Sequence, residues 1–261
     1  MVIMEKVTKI LKNKEATRDS ERGNVLFLIL IAVALFAALS YAVTSSSRSG
    51  GKDANDETNL ISSSAVTQYP ASVRTSIIRM QISEGVDISE LEFNAPADFG
   101  DCQTVGGTIG ANCIFHPDGG SATHVPGSAD VMASGNQTDW VFSSMNEINE
   151  VGRTVGAGAA SATTAEVIAF LPGIRLGICQ RINDELGITG IPTETGIDFS
   201  VANSMVNTDG STPPGIGADG DDPTIGEGAA AALDGQAFGC FQQVGATPDS
   251  PYVYYHALIE Q

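Results

Sequence analysis

One uninterrupted apolar run near the N-terminus dominates the hydrophobic pattern of the chain. Val25 to Val43 carries no charged residue over about 19 positions. A helix rises ~1.5 Å per residue, so a run of this length just crosses the hydrocarbon core of a bilayer. The run is also longer than the roughly 7–15 apolar residues of a usual signal peptide. The pattern therefore predicts a transmembrane helix, to which we assign residues 24–48.

A second hydrophobic pattern follows with the period of a helix. Apolar residues recur in steps of three and four from Asn59 to Gln81, which predicts an amphipathic helix. Pro70 predicts a kink or a helix start within this stretch, and Gly85 predicts its end. Residues 49–58, which contain two adjacent glycines, predict a hinge between the two helices.

Shorter patterns in the rest of the chain are typical of an α+β domain. Residues 138–142 and 147–155 predict strands, and so do residues 251–261 at the end of the chain. Isoleucines spaced by four residues predict a helix over 172–186, with Pro172 in its first turn. The segment before that proline predicts a strand or a short helix. We expect residues 59–261 to form a head in which the amphipathic helix packs on a mostly antiparallel sheet.

The distribution of charge predicts the orientation of the chain in a membrane. The chain has 13 basic and 31 acidic residues, and six of the basic residues and four of the acidic residues precede Gly23. The six basic residues are Lys6, Lys9, Lys12, Lys14, Arg18 and Arg22. Positive charge on this side of the apolar run predicts a cytoplasmic N-terminus and an extracytoplasmic head. The strongly acidic remainder would repel phosphate backbones, so we expect no nucleic-acid partner.

The start of the apolar run resembles that of a known family. The charged leader ends at Gly23, and apolar residues follow immediately after Asn24. This arrangement resembles the type IV pilin-like family, which includes pilins and the pseudopilins of type II secretion. The resemblance implies that a prepilin peptidase cuts between Gly23 and Asn24 and removes a cytoplasmic leader, residues 1–23. It also implies that the helix stays in the inner membrane and packs with other pilin-like subunits.

Two positions depart from the family's pattern. The first mature residue is usually aromatic or Met and is Asn24 here. The family usually has a Glu at the fifth mature position, which is thought to pair with the N-terminus of a neighbouring subunit during assembly. Here that position is Leu28. The resemblance therefore implies a minor, pseudopilin-like subunit, and bulk polymerisation is not expected.

Two other interpretations of the apolar run stay open. It could be an uncleaved anchor of a single-pass protein whose head binds a ligand or a partner in the periplasm or outside the cell. It could also be a removed secretion signal, because Ser40-Tyr41-Ala42 resembles a small-x-small cleavage site.

All four cysteines follow the apolar run, which agrees with an oxidising exterior. Four cysteines allow three pairings. We favour Cys102 with Cys113, which closes a short glycine-rich loop, and Cys179 with Cys240, which ties a helix to the segment before the last strand. The spacing of zinc ligands is absent, so two disulfides are expected rather than a zinc site.

Catalytic motifs are weak in this sequence, and we expect a non-enzymatic structural protein. A Gly-x-Gly-x-x-Gly match at residues 215–220 has no preceding strand, so it predicts a loop rather than a nucleotide site. No cofactor is expected, with calcium as the one possible exception. The candidate calcium ligands are carboxylates in glycine-rich segments: Asp209, Asp219, Asp221, Asp222 and Glu227. The three histidines, His116, His124 and His256, match no hydrolase motif.

Overall fold

A computed structural model of the chain provides the structure of this protein. It describes residues 2–152, 165–201, 204–210, 223–245 and 252–260. Of residues 2–24 and 45–55 it describes the backbone alone. The chain divides into two compact units, Met1–Glu57 and Thr58–Gln261, and we call the second unit the head.

The longest element is helix α1, Val2–Ser83. It contains the apolar run, and it also continues through residues 49–58, where the sequence predicts a hinge. Glycine disfavours a helix by about 1 kcal/mol relative to alanine, yet it keeps its backbone N–H. Adjacent glycines therefore weaken a helix without removing its hydrogen bonds. Pro70 lies inside α1 and does not begin it, which corrects one of the two roles expected of this residue.

The last part of α1 belongs to the head and buries one face. Val66, Val73, Ile77 and Met80 are at most 5% exposed, which confirms the amphipathic pattern. The helix ends where the sequence predicts, because Gly85 has a φ of +72° that other residues rarely adopt. The N–H of Glu84 closes the last turn on the carbonyl of Met80, at 3.0 Å.

Eight strands follow α1 among the residues that the structure describes. They are β1 Thr104–Val105, β2 Thr108–Ile109, β3 Val141–Ile148, β4 Glu166–Pro172, β5 Thr193–Glu194, β6 Thr224–Ile225, β7 Phe238–Gln243 and β8 Tyr252–Ile259. β1 and β2 pair as a small hairpin, and the other six form one sheet in the order β5-β7-β8-β4-β3-β6. The four inner strands pair antiparallel, whereas β5 and β6 pair parallel with their neighbours. The expected α+β class is confirmed.

Both faces of the central sheet are covered by apolar side chains. Successive residues of a strand point to opposite faces. In β4, Val167, Ala169 and Leu171 belong to one buried cluster, and Ile168 and Phe170 to another. The first cluster includes the buried face of α1, and the second includes residues of the 3₁₀ helix Gly228–Leu233. This two-sided burial explains why β4 is a continuous apolar run that periodicity cannot separate from a short helix.

Helix α2, Leu176–Glu185, begins later than the sequence predicts. Pro172 lies at the end of β4, opposite Val253 of β8, and not in the first helical turn. A proline at a strand end removes only one hydrogen-bond donor from the ladder, so this position tolerates it. The chain then turns at Gly173, and Ile178 and Ile182 bury the expected face of α2.

The strand predictions near residue 140 need correction. Residues 138–142 and 147–155 do not form two strands, because β3 runs without a break from Val141 to Ile148. A turn follows in which Glu150 has a φ of +56°, and residues 153–155 lie outside the described part of the chain. The predicted C-terminal strand is confirmed as β8, which lies in the centre of the sheet between β7 and β4.

Two adjacent residues of α1 test the packing of this helix on the head. Ile77 is fully buried, whereas Ile78 is 42% exposed. We expect Ile77→Ala to lower the free energy of unfolding by about 2–5 kcal/mol, because it removes buried methylenes and leaves a cavity. Ile78→Ala should change it by less than about 0.5 kcal/mol. Denaturant titration of both variants, followed through Trp140 fluorescence, measures the difference, and equal losses would contradict the packing described here.

Candidate functional site

The apolar segment of α1 is the first candidate functional feature. Val25–Thr44 has a mean hydropathy of 2.7 and is the only segment among the described helices that is long and apolar enough to cross a membrane. None of its side chains is buried by the rest of the described protein. A helix that is apolar all round has no polar face to turn toward water. By length and apolar composition, this segment meets the requirements of a membrane span.

Polar groups in this segment are few and lie near its C-terminal end. The hydroxyl of Thr44 donates a hydrogen bond to the carbonyl of Ser40 at 2.5 Å, so it is satisfied within the helix. Tyr41 is 77% exposed, and an amphipathic tyrosine ring suits the boundary between hydrocarbon and headgroups. Leu28, at the position where the pilin-like family usually has Glu, is 59% exposed.

The predicted cleavage residues lie at the other end of the segment. Gly23 and Asn24 are helical and directly precede Val25. Only their backbone is described, and the cut between them stays a prediction.

The cysteines form the two pairs that the sequence favours. Cys102 bonds to Cys113, with their Cα atoms 6.3 Å apart, and this pair encloses the β1–β2 hairpin. Cys179 bonds to Cys240 over a Cα distance of 5.5 Å, which ties α2 to β7. These two crosslinks account for all four cysteines of the chain.

The first disulfide has a buried carboxylate beside it. An oxygen of Glu92 lies 2.9 Å from the sulfur of Cys113, and Glu92, Cys102 and Cys113 form a tight group of metal-ligand atom types. A disulfide sulfur carries no thiolate charge, so this group lacks the ligands that zinc requires. Glu92 instead accepts hydrogen bonds from the N–H of Gln103 and the side-chain amide of Asn207, each at 2.9 Å.

The proposed calcium ligands are only partly within the described residues. Asp219, Asp221 and Asp222 lie outside them, and Asp209 and Glu227 are exposed. Neither of these two belongs to a metal-capable group within the described part of the chain. Calcium binding by this set stays a prediction.

The three histidines have separate partners. Nδ1 of His116 accepts the N–H of Asp118 at 3.1 Å, and Nε2 of His124 lies 4.0 Å from Asp139. His256 hydrogen-bonds the hydroxyl of Tyr254 at 2.8 Å. Burial lowers the pKa of His256 to about 4, with a further contribution from the charge of Arg74.

Two buried glutamates flank strand β6, and no motif in the sequence marks either of them. Glu166 is 1% exposed and accepts the N–H of Ile148 at 2.8 Å, next to the pairing of β3 with β6. Glu194 is 5% exposed and accepts the N–H of Gly226 at 2.7 Å. Burial raises the pKa of Glu166 to about 8 and that of Glu194 to about 7. Nearby carboxylates add to both shifts: Glu147 and Glu260 for the first, and Glu227 for the second.

A cleft of about 570 Å³ beside β3 is the second candidate functional feature. Its aromatic lining comes from residues far apart in the chain: Phe93, Trp140, Phe142 and Phe199. Two carboxylates, Asp98 and Asp139, also line it. The volume lies within the roughly 300–1,000 Å³ that is usual for sites of small molecules.

The raised pKa of Glu166 predicts how stability depends on pH. The folded state holds the carboxyl proton of Glu166 more tightly than the unfolded state does. The resulting stabilisation of the folded state is complete below about pH 4.5 and is lost as the pH rises through about 8. One pKa unit corresponds to about 1.4 kcal/mol, so the wild type should lose stability on the order of 5 kcal/mol between these two pH values. Glu166→Gln mimics the protonated group and should remove this loss. Denaturant midpoints measured across the interval test this expectation.

An exposed glutamate provides the control for this experiment. Glu84→Gln changes the same chemical group on the surface of the head and should leave the pH profile of the wild type in place. A Glu166→Gln profile that falls as steeply as that of the wild type would show that Glu166 is not the group responsible.

Within the described part of the chain, the apolar segment Val25–Thr44 is not buried by other residues, and the cleft beside β3 has two carboxylates in its lining.

Comparison with known proteins assigns no role to either feature. No protein-family model, no curated protein and no solved structure matches this chain.

Proposed function

We propose that this chain is a non-enzymatic structural subunit, pilin-like or minor pseudopilin-like, anchored in the inner membrane and assembled with other pilin-like subunits. The observation that carries the proposal is the exposed apolar segment Val25–Thr44, which follows a charged leader that ends in Gly23, with only Asn24 between them. An ordinary anchor needs no glycine at this boundary, whereas a peptidase that cuts on the cytoplasmic face does.

The dimensions of the segment support the membrane part of the proposal. Twenty residues at ~1.5 Å each extend about 30 Å, which matches the hydrocarbon thickness of a bilayer. Six basic residues precede the segment and only Arg48 and Lys52 follow it closely, so the head is expected in the periplasm or outside the cell. The two disulfides of the head fit an oxidising compartment of this kind.

The proposed place in an assembly is that of a minor subunit. With Leu28 at the fifth mature position, the subunit has no carboxylate there to pair with the N-terminus of a neighbour. Its helix would then join a bundle through apolar packing alone. Such a subunit suits a position where few copies are needed, in a pilus or in a type II secretion pseudopilus.

A second candidate function rests on the cleft. A single-pass protein that displays a ligand-binding head needs a preformed concave site, and the aromatic cleft beside β3 meets this requirement. In this case the apolar helix is only an anchor, and the chain keeps its leader.

The mature N-terminus tests the leading proposal. When the chain is expressed together with a prepilin peptidase, we expect intact-mass spectrometry to find a protein that begins at Asn24. Gly23→Ala should block the cut, because the family's peptidase acts directly after this glycine. Gly50→Ala, a matched change in the same helix beyond the apolar segment, should be processed like the wild type.

Each other N-terminus supports a different interpretation. A wild-type protein that still begins at Met1 contradicts the pilin-like proposal and supports the uncleaved anchor. A start at Val43 contradicts both and supports a removed signal peptide.

A further inference from the structure

We infer that the cleft beside β3 binds an apolar molecule that carries a positive charge, such as an aralkyl ammonium ion. This inference rests on the second candidate function, namely that the head binds a ligand, and it does not depend on cleavage at Gly23. It goes further because it specifies the chemistry of the ligand.

The aromatic side chains of the cleft pack closely against one another and against their neighbours. The rings of Phe93 and Phe142 stack with their centroids 4.4 Å apart and an angle of 13° between their planes, and each residue is 2% exposed. Trp140 packs against Tyr69 at 5.2 Å and against Tyr254 at 6.0 Å. Aromatic side chains held by neighbours on several sides present a fixed surface to a ligand and lose little conformational freedom on binding.

Backbone hydrogen bonds connect the segment around Met205, which also lines the cleft, to the two stacked phenylalanines. The N–H of Phe93 donates to the carbonyl of Met205 at 2.8 Å, and the N–H of Met205 donates to the carbonyl of Phe142 at 2.7 Å. The side chain of Asn94 bonds the backbone of Asn207 in both directions, as donor at 2.7 Å and as acceptor at 2.8 Å. These hydrogen bonds hold the segment around Met205 in place beside the aromatic side chains.

The charge of the cleft comes from its rim. Asp98 is exposed, and the side chain of Asp139 is 75% exposed. None of the described residues that line the cleft is a lysine or an arginine, and His124 is the only other titratable group among them. A ligand with an apolar body inside and a cation at the rim would match this distribution, and the aromatic rings would add cation–π attraction.

The described arginines of the head are engaged away from the cleft. Two form ion pairs with glutamates, and two donate hydrogen bonds to backbone carbonyl groups of loops. The pairs are Arg74 with Glu260, Arg181 with Glu185, Arg79 with Gly119 and Gly120, and Arg175 with Met132. Among the described residues, no arginine pairs with the rim carboxylates, and the imidazole of His124 lies 4.0 Å from Asp139. A cation supplied by a ligand would complement these carboxylates.

The chain carries its own reporter for this site. Trp140 is the only tryptophan of the protein and it lines the cleft, so its fluorescence reports occupancy there and not at the apolar helix. We would titrate the full-length protein in an uncharged detergent with three probes that share one apolar body. They are 4-phenylbutylammonium, 4-phenylbutanol and 4-phenylbutyrate.

The expected order of affinity is ammonium, then alcohol, then carboxylate. The ammonium probe should bind roughly three- to tenfold more tightly than the alcohol, since two exposed carboxylates each contribute a small attraction. Added salt should reduce this ratio, because rim charges are screened. In the double variant Asp98→Asn with Asp139→Asn, the ammonium probe should bind no more tightly than the alcohol.

A variant with the same change in net charge provides the control. Asp130→Asn with Asp184→Asn neutralises two exposed carboxylates that do not line the cleft, and it should preserve the preference for the ammonium probe. Equal binding of ammonium and alcohol to the wild type would overturn the inference while leaving a ligand-binding head in place. An unchanged Trp140 emission with all three probes would overturn the inference together with the second candidate function.

Discussion

The pairing of β8 with β4 is the contact on which the head depends. The two strands align from Val167 opposite Ile259 to Pro172 opposite Val253, and each lies between two other strands. Their side chains belong to the apolar clusters on both faces of the sheet, so both faces of each strand are buried. Loss of this ladder would expose both clusters at once. The pairing of β8 with β4 therefore combines backbone hydrogen bonding with apolar burial on both faces of the sheet.

The candidate sites are built on this ladder. Trp140 lines the cleft and packs against Tyr254 of β8, while Phe142 of β3 pairs with Ala169 of β4. Glu166 opens β4 and holds the N–H of Ile148 at the edge where β6 joins. The cleft and the buried carboxylates therefore share one scaffold, whereas the apolar helix Val25–Thr44 belongs to the other compact unit.

Local patterns in the sequence predict several of these features. The apolar run, the amphipathic face of α1 and its end at Gly85 depend on neighbouring residues, so periodicity and glycine placement are enough. Pro172 lies in β4 and not, as its sequence context predicts, in the first turn of α2, because β4 stays paired with β8 up to that residue. The buried polar groups are hidden from a sequence for a similar reason. Glu92 meets Asn207 across 115 positions, and no local pattern marks a glutamate that will be buried.

The position of β8 has a consequence for the order of folding. It is the last described strand along the chain, yet it separates the β5–β7 pair from the strands β4, β3 and β6. Until residues 252–259 have been synthesised, β7 and β4 each present an unpaired edge, and such edges pair readily with other chains. The head therefore cannot complete its sheet strand by strand as it emerges. It must be kept apart from its own copies until its final strand arrives, and the long sequence separation of that pairing makes the closing step slow.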